Sequence, residues 1–290
     1  MSSIKIAGVQ MDIKLADPKS NVETMKGYLR QTADAGAAIT IFPECTLSGY
    51  CFESFEEAFE VSETISEGPS IQAIALACSE LETHAIFGFL ERDGEQIFNT
   101  AICVGPDGLV ASYRKVHLPT LGVDNFTTPG EGASIFELKL KEKSNSGQDH
   151  SIRIGMNICY DCSFPEAARV LMLGGVDLIA LPTNWPPGSG LVADVIPNAR
   201  ALENNVYFAA VNRIGSERGF DFIGKSKICD PMGRELDFAN HSDAAIVYAD
   251  IDVEFARRKH LVAVPGKHEV HRVNDRRPDT YESIVEVTDR

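Results

Sequence analysis

Short apolar runs of strand length alternate with amphipathic stretches along the chain, and this alternation restricts the fold more than any other feature. Apolar runs of strand length occur at residues 4–11, 38–44, 85–91, 97–105, 109–115, 151–159, 176–182, 206–212, 225–231 and 245–252. Helices are predicted over residues 21–37, 69–82, 164–175 and 189–204. Strands that alternate with helices in this way predict an α/β fold. Because no break in composition interrupts the pattern, we expect a single large domain.

The charge and the cysteine content narrow the classes of function. The 290 residues include 42 acidic and 27 basic side chains, a formal charge of −15. A protein this acidic repels the phosphate backbone, so we expect no nucleic-acid partner. No stretch approaches the roughly 20 apolar residues that cross a bilayer, and the N-terminus lacks the pattern of a signal peptide. Seven scattered cysteines fit reduced thiols better than a disulfide framework. We therefore expect a cytoplasmic protein with no membrane partner.

Two charged blocks frame the predicted domain organisation. Residues 53–68 carry six glutamates, and residues 257–277 form the most basic region. We predict one domain over residues 1–265 and a C-terminal tail over residues 266–290. The tail is predicted to dock on the domain or on a neighbouring subunit, through an acidic surface. The alternative is an ordinary solvated face and an undocked tail.

Two cysteines three positions apart, Cys159 and Cys162, lie where an apolar run ends. A C-x-x-C redox pair normally opens a helix in a small domain, and the pattern around these residues does not fit one. A zinc site needs further ligands, and the sequence has no second C-x-x-C. Cys159 ends a predicted strand just before a helix, where α/β sheets place reactive groups. We therefore interpret Cys159 as a candidate nucleophile and Cys162 as a packing residue, while a buried core role for Cys159 stays open.

Other ionisable residues at predicted strand ends can activate a thiol. Glu44 ends the run at 38–44 and Lys115 ends the run at 109–115. Charged groups in such positions are costly unless they are paired or used. A carboxylate can take the thiol proton, and a lysine can stabilise an oxyanion. No Cys/His signature surrounds His117, the one histidine in a promising stretch. Together the residues indicate a thiol hydrolase without histidine, although a structural ion pair remains the alternative.

Three sequence blocks resemble the nitrilase superfamily, the carbon–nitrogen hydrolases. They are "FPECTLSGY" around Glu44, "YRKVHLP" around Lys115 and "GMNICYDCSFPE" around Cys159, supported by "LPTNWP", "ARALENNVYFAAVNRIG" and "GKSKICDPMG". The resemblance covers about residues 4–265. It implies a single-domain, four-layer α-β-β-α sandwich and a homodimer or higher homo-oligomer, with residues 164–174 at the interface. It also implies a cysteine nucleophile, a small-molecule substrate, no metal and no organic cofactor.

The resemblance also assigns roles to individual residues. Glu44 corresponds to the general base, Lys115 to the lysine that stabilises the tetrahedral intermediate, and Cys159 to the nucleophile. The backbone N–H of Tyr160 would complete the oxyanion hole. Many members carry a further glutamate after the lysine, and "LPTLGVDNFTTPGEG" has none before its phenylalanine. Asp124 lies nearby but out of register, so either Asp124 positions the lysine or the protein manages without that group.

The residues after the strand at 176–182 are further candidates. Asn184 and the single tryptophan, Trp185, follow this strand end. They are predicted to support or line the substrate pocket, with simple packing as the alternative. The resemblance implies hydrolysis of a small linear amide or an N-carbamoyl compound through a cysteine thioester, with release of ammonia or an amine. Nitrile hydrolysis by the same residues, a non-catalytic binding protein with this fold and a thiol-redox protein are the alternatives.

Overall fold

A computed structural model describes residues 3–140 and 150–286. Its helices are α1 (Pro18–Asp34), α2 (Phe55–Glu60), α3 (Pro69–Leu81), α4 (Pro165–Leu173), α5 (Gly190–Asn204) and α6 (Val253–Arg257). Its strands are β1 (Ile4–Gln10), β2 (Ile39–Ile41), β3 (His84–Asp93), β4 (Gln96–Gly105), β5 (Gly108–Arg114), β6 (Ser134–Leu140), β7 (His150–Met156), β8 (Leu178–Thr183), β9 (Tyr207–Asn212), β10 (Ser216–Glu217), β11 (Phe220–Asp221), β12 (Lys227–Cys229), β13 (Glu235–Phe238), β14 (Ala245–Ile251), β15 (His260–Val264) and β16 (His268–His271). None of the helices described is long and apolar enough to span a membrane.

Twelve of these strands form two six-stranded sheets. The first sheet has the order β14-β1-β2-β3-β4-β5, and the second has the order β13-β12-β9-β8-β7-β6. The neighbours β1, β2 and β3 run parallel in the first sheet, as β7, β8 and β9 do in the second. Antiparallel strands flank each parallel centre. The carboxyl ends of the parallel strands therefore lie together at one edge of each sheet.

Three apolar clusters hold the layers together. The largest lies between the two sheets and includes Ile6 and Ile41 from the first and Ile154 and Ala209 from the second. A second cluster packs α1 and α3 on the outer face of the first sheet. A third cluster, with Leu171, packs α4 and α5 on the outer face of the second sheet. This arrangement confirms the predicted α-β-β-α sandwich.

Three strands end earlier than predicted. The candidate site residues Glu44, Lys115 and Cys159 therefore lie just beyond the strands rather than at their last positions. Strand β2 ends at Ile41, three residues before Glu44, and β5 ends at Arg114, just before Lys115. Strand β7 ends at Met156, so that Cys159 opens a 3₁₀ turn rather than closing a strand. The apolar runs extend beyond the hydrogen-bonded ladders because the loops that follow are themselves buried.

Three features at the periphery were not predicted. The edge strand β6 has only two buried residues and the edge strand β13 has none, and the hairpin of β15 and β16 is largely exposed. This hairpin begins at His260 and so lies across residue 265, where the predicted tail begins. Val273 packs against the outer cluster of the second sheet. Docking of the whole 266–290 tail stays a prediction.

Candidate active site

The candidate residues come from both sheets. Glu44 lies in the turn after β2, Lys115 directly follows β5, and both side chains are fully buried. Cys159 lies in the loop between β7 and α4 of the opposite sheet. The first sheet therefore carries the candidate base and the lysine, while the second carries the thiol, so the candidate site depends on how the two sheets pack.

Lys115 is the centre of a buried hydrogen-bonded cluster. Its Nζ donates to Glu44 Oε1 over 2.8 Å and to Asp124 Oδ2 over 2.5 Å. Asn99, on β4, donates from Nδ2 to Glu44 Oε1 over 2.7 Å and to Asp124 Oδ1 over 2.9 Å. The Tyr50 hydroxyl donates to Asp124 Oδ2 over 2.8 Å. Two carboxylates are thus fixed around one ammonium group, and the cluster carries one net negative charge when all three are ionised.

Asp124 belongs to this cluster despite its unexpected register in the sequence. It lies in a 3₁₀ turn, Gly122–Asn125, and its side chain is fully buried. The turn is fixed by Val123 N–H, which donates to the Tyr50 carbonyl over 2.8 Å. Asp124 therefore contacts Lys115 and Asn99 directly, the geometry that a lysine-positioning carboxylate requires.

The loop that carries Cys159 holds an uncommon backbone conformation. Cys159 has φ of +43°, in the left-handed region that side chains with a Cβ adopt rarely. Such strain persists only where the surroundings fix it, and it is frequent at functional sites. Here the residue two positions later, Asp161, supplies the constraint.

Asp161 is fully buried and accepts four hydrogen bonds. Its Oδ2 accepts from the Ile158 N–H over 2.9 Å and from the Tyr113 hydroxyl over 2.8 Å. Its Oδ1 accepts from His117, from the backbone N–H over 3.0 Å and from Nδ1 over 2.7 Å. The His117 ring also stacks on Phe164, with ring centroids 3.8 Å apart. This Asp161 clamp joins the loop after Lys115 to the loop of Cys159, and so links the two sheets at the site.

Burial and mutual charge shift the pKa values of the three main candidates. Burial raises the pKa of Glu44 above its ordinary value, against the opposing effect of Lys115. Burial and the Glu44 carboxylate raise the pKa of Cys159 well above its ordinary value. Burial alone would lower the pKa of Lys115, but Glu44 and Asp124 raise it well above the ordinary value. These directions favour a neutral Cys159 thiol and a cationic Lys115 ammonium group.

The remaining candidates occupy different surroundings. Tyr160 is 40% exposed, and its ring meets Phe164 edge-on with centroids 5.1 Å apart. The Trp185 ring is buried in the cluster under α4 and α5, which favours packing over a pocket wall. Asn184 is 1% exposed. The Thr183 side chain and the Asn184 backbone both oppose the rise in the pKa of Cys159. Cys159 itself packs against the outer cluster that contains Trp185.

Several members of the cluster were not predicted from the sequence. Asn99 was missed although it is a polar residue inside the apolar run at 97–105, an available signal. Tyr50 and Asp161 lie within the quoted blocks, but nothing in their spacing indicates hydrogen bonds to residues 74 and 44 positions away. Among residues 3–140 and 150–286, no group of three or more His, Cys, Asp or Glu side chains could hold a metal ion.

Comparison with known proteins places this arrangement in a family. A family model described as carbon-nitrogen hydrolase matches residues 5–260. A protein of Pyrococcus abyssi named nitrilase is 34% identical over 262 residues, which cover 89% of this chain and 93% of that protein. The human omega-amidase NIT2 is 30% identical over 266 residues, which cover 88% of this chain and 90% of that protein.

A solved structure shows the same fold at lower identity. It is a variant of the amidase from Nesterenkonia sp., with the acetamide moiety of fluoroacetamide added covalently at its active-site cysteine. The two chains are 21% identical and superpose with a TM-score of 0.72, over 89% of this chain and 94% of that one. Since the family model spans most of the sequence and both relatives match over nearly their whole length, the chain belongs to the carbon–nitrogen hydrolase family, enzymes that cleave C–N bonds other than peptide bonds.

Proposed function

We propose that the protein hydrolyses a small, non-peptide amide or N-carbamoyl compound through a thioester on Cys159. In this proposal Glu44 is the general base, Lys115 and the Tyr160 N–H stabilise the oxyanion, and Asp124 positions Lys115. The protein needs no metal or organic cofactor for these steps. The name of the human relative, omega-amidase, supports an amide substrate.

The first half of the proposed reaction transfers the acyl group of the substrate to Cys159. Glu44 takes the thiol proton as the Cys159 sulfur bonds to the carbonyl carbon. The carbonyl oxygen becomes an oxyanion, which Lys115 and the Tyr160 N–H stabilise. Glu44 then gives its proton to the nitrogen as the C–N bond breaks. Ammonia or an amine leaves, and the acyl group stays on sulfur.

Deacylation reuses the same base. Glu44 removes a proton from water as the water oxygen bonds to the thioester carbon. The second oxyanion collapses, the C–S bond breaks, and the sulfur recovers the proton from Glu44. The products are a carboxylic acid, or a carbamic acid for a carbamoyl substrate, and the free enzyme.

One observation carries this proposal. Glu44 Oε1 is held by Lys115 and Asn99, whereas Oε2 is buried without a hydrogen-bond partner among the described residues. A structural ion pair would be expected to satisfy both oxygens. A fixed carboxylate with one free oxygen, beside a thiol of raised pKa, is what a proton acceptor requires.

Nitrile hydrolysis by the same residues is the second candidate, because the relative from Pyrococcus abyssi is named nitrilase.

Both candidate functions are tested by measuring ammonia release from a panel of small amides, N-carbamoyl amino acids and nitriles. We expect release from amides or carbamoyl compounds and none with Cys159→Ala. Cys162→Ser should keep the activity, since it removes only the redox alternative. Release from nitriles alone would favour the second candidate. Failure with every compound, together with no selective alkylation of Cys159, would favour a non-catalytic binding protein.

We also propose that the protein is a cytoplasmic homodimer. All seven cysteines are free, which suits a reducing compartment. Apolar side chains are exposed on α4 and α5, among them Val170, Leu173 and Leu191 at 53%, 45% and 75%. Such a patch marks an interaction surface.

The 266–290 tail is proposed to dock beside this patch, because Arg272, Arg276 and Tyr281 line a cleft of about 370 Å³ with Glu166 and Glu203 of these helices.

A further inference from the structure

The side-chain amide of Asn184 is buried and makes no hydrogen bond to the described residues. Its side chain is 1% exposed, and neither Oδ1 nor Nδ2 has a partner among the described residues. Buried amides in native structures almost always find partners, because leaving them unpaired opposes folding. An amide with both ends free is therefore expected to meet a partner from outside the chain.

The alternation of strand β8 places this side chain between the two sheets. Leu178 and Ala180 belong to the cluster between the sheets, whereas Ile179 and Leu181 belong to the outer cluster. Successive side chains of a strand point to opposite faces. Asn184 lies one residue past the end of β8, and Trp185 after it belongs to the outer cluster. The alternation therefore continues, and we infer that Asn184 faces the interior. Cys159 packs against the cluster between the sheets as well as against the outer cluster.

A second buried asparagine, Asn212, has a structural role in this region. Asn212 ends β9 beside Thr183, the last residue of β8. Its Oδ1 accepts from the Trp185 N–H over 2.8 Å, and its Nδ2 donates to the Gly224 carbonyl over 2.6 Å. Asn212 thus fixes the loop after β8, and Asn184 is not needed for that purpose.

The charges of the site disfavour an ionised substrate. Glu44 and Asp124 share one cation, Lys115, which forms an ion pair with each of them. The buried Arg213 is committed to Glu217 and Asp12 and to the Ile13 carbonyl. Among the described residues of the site no further cation is left to pair with a substrate carboxylate. An uncharged substrate group suits this environment.

We propose that Asn184 is a specificity-determining residue that binds a second, uncharged carboxamide or ureido group of the substrate. An asparagine side chain offers one acceptor oxygen and an amide donor side by side. A carboxamide donates to Oδ1 and accepts from Nδ2, and so satisfies both. A carboxylate satisfies Nδ2 alone and faces the Oδ1 lone pairs, and an alkyl group satisfies neither. The inference rests on the proposed function and names the substrate class for the same site.

Matched substrates test the inference. Glutaramide, its monoacid glutaramate and the isosteric 5-methylhexanamide differ only in the group distant from the cleaved amide. Succinamide, succinamate and 4-methylpentanamide form the same series one carbon shorter. We expect wild type to prefer the diamide over the alkyl amide by about 10- to 100-fold in kcat/KM, in at least one series. The acid should be the poorer substrate as well.

Asn184→Leu, of nearly the same shape, should abolish this preference and keep or raise kcat/KM for the alkyl amide. Asn184→Ser serves as a second variant if the leucine variant does not fold. Asn204→Leu is the matched control, since Asn204 is also buried with an unpaired Oδ1 but lies at the end of α5. It should leave the preference unchanged.

The possible outcomes distinguish failure of this inference from failure of the proposed hydrolase function. Equal kcat/KM for the three compounds of each series, with activity abolished by Cys159→Ala, would overturn the inference and keep the hydrolase. A uniform loss over all compounds in Asn184→Leu would assign Asn184 to the cleaved amide or to packing, and would also overturn it. No ammonia from any compound would overturn the inference together with the proposed function.

Discussion

At the scale of single residues, the central feature of the candidate site is a lysine between two carboxylates. A charge taken out of water is tolerated only when it is paired and hydrogen-bonded, and Lys115 contacts Glu44 and Asp124 together. This arrangement keeps the ammonium charged and fixes its position before substrate arrives. The turn at Gly122–Asn125 brings Asp124 to the lysine, so an aspartate reaches the position proposed for the lysine-positioning carboxylate.

Asp124→Asn should lower kcat by about 100-fold or more, because an amide in this place presents a donor where Lys115, Tyr50 and Asn99 already donate. Steady-state kinetics on the best amide of the panel measures the effect. Asp93→Asn, which changes an exposed partner of Arg114, is the control and should retain wild-type turnover. Near-normal kinetics for Asp124→Asn would contradict a positioning role.

Glu44→Gln should change how stability depends on pH. Burial raises the folded-state pKa of Glu44 above its ordinary value of 4.5. A group whose pKa is raised by folding stabilises the fold fully below its unfolded pKa, and this contribution is lost as pH rises through the folded pKa. Glutamine does not titrate. The free energy of unfolding of wild type relative to Glu44→Gln should therefore fall as pH rises above about 4.5.

Urea unfolding of both proteins across this pH range measures the difference. Activity should vanish in Glu44→Gln at every pH, which separates the stability effect from catalysis. A difference in unfolding free energy that stays constant with pH would show that burial does not penalise the Glu44 carboxylate.

At the scale of elements, the site is built from loops that leave two different sheets. The Asp161 clamp bonds the loop after β5 to the loop after β7, through His117 and Ile158. Gly88 on β3 allows a further close approach, because a Cβ there would lie 2.3 Å from the Cys45 nitrogen and 2.7 Å from the Glu44 Cα. The proposed nucleophile and the proposed base are thus positioned by the hydrogen bonds of a buried carboxylate and by a close approach of two backbones.

Asp161→Asn should lower both turnover and stability. Loss of a charged acceptor from a buried network costs about 1–3 kcal/mol, and a small displacement of the nucleophile can cost on the order of 100-fold in rate. The matched variant is Asp177→Asn, since Asp177 is equally buried and accepts from the Arg153 N–H over 2.9 Å, outside the site. Both variants should unfold at lower urea concentration, but only Asp161→Asn should lose turnover. Equal turnover in the two would contradict the clamp.

The sequence predicts the strands and helices better than it predicts their ends, and the reason is physical. Apolar runs such as 38–44 continue past β2 because the turn that holds Glu44 is as buried as the strand itself. Glu44, Lys115 and Cys159 could be selected as candidates because each ends an apolar run within a family block. Asn99 and Asp161 could not be assigned, because their partners come from distant parts of the chain that only the packing of the sheets brings close.

At the scale of the whole molecule, the outer helices of the second sheet carry apolar side chains that the described residues leave partly exposed. Val170 and Leu173 on α4 and Leu191 and Val195 on α5 are between 45% and 75% exposed. A second copy of the chain is the simplest partner for such a surface, because a twofold axis lets one patch cover its own copy.

Light scattering should give the mass of a dimer for wild type and of a monomer for Val170→Asp combined with Leu173→Asp. A charge in an apolar interface loses its water without gaining a partner, so association should weaken by several orders of magnitude. Leu109→Asp, at a residue 55% exposed on β5, should remain dimeric. A monomeric wild type at micromolar concentration would contradict the proposal.

The pairing of the first strand with the last strand of the first sheet affects the protein while it is being made. β1 pairs with β2 on one side and with β14 on the other, and β14 is synthesised about 240 residues after β1. At 5–20 residues per second, the ribosome needs roughly 12–50 s to supply it. Throughout that interval one edge of β1, an apolar strand, has no native partner and is open to other chains. The nascent chain should therefore be more prone to aggregation than the finished enzyme.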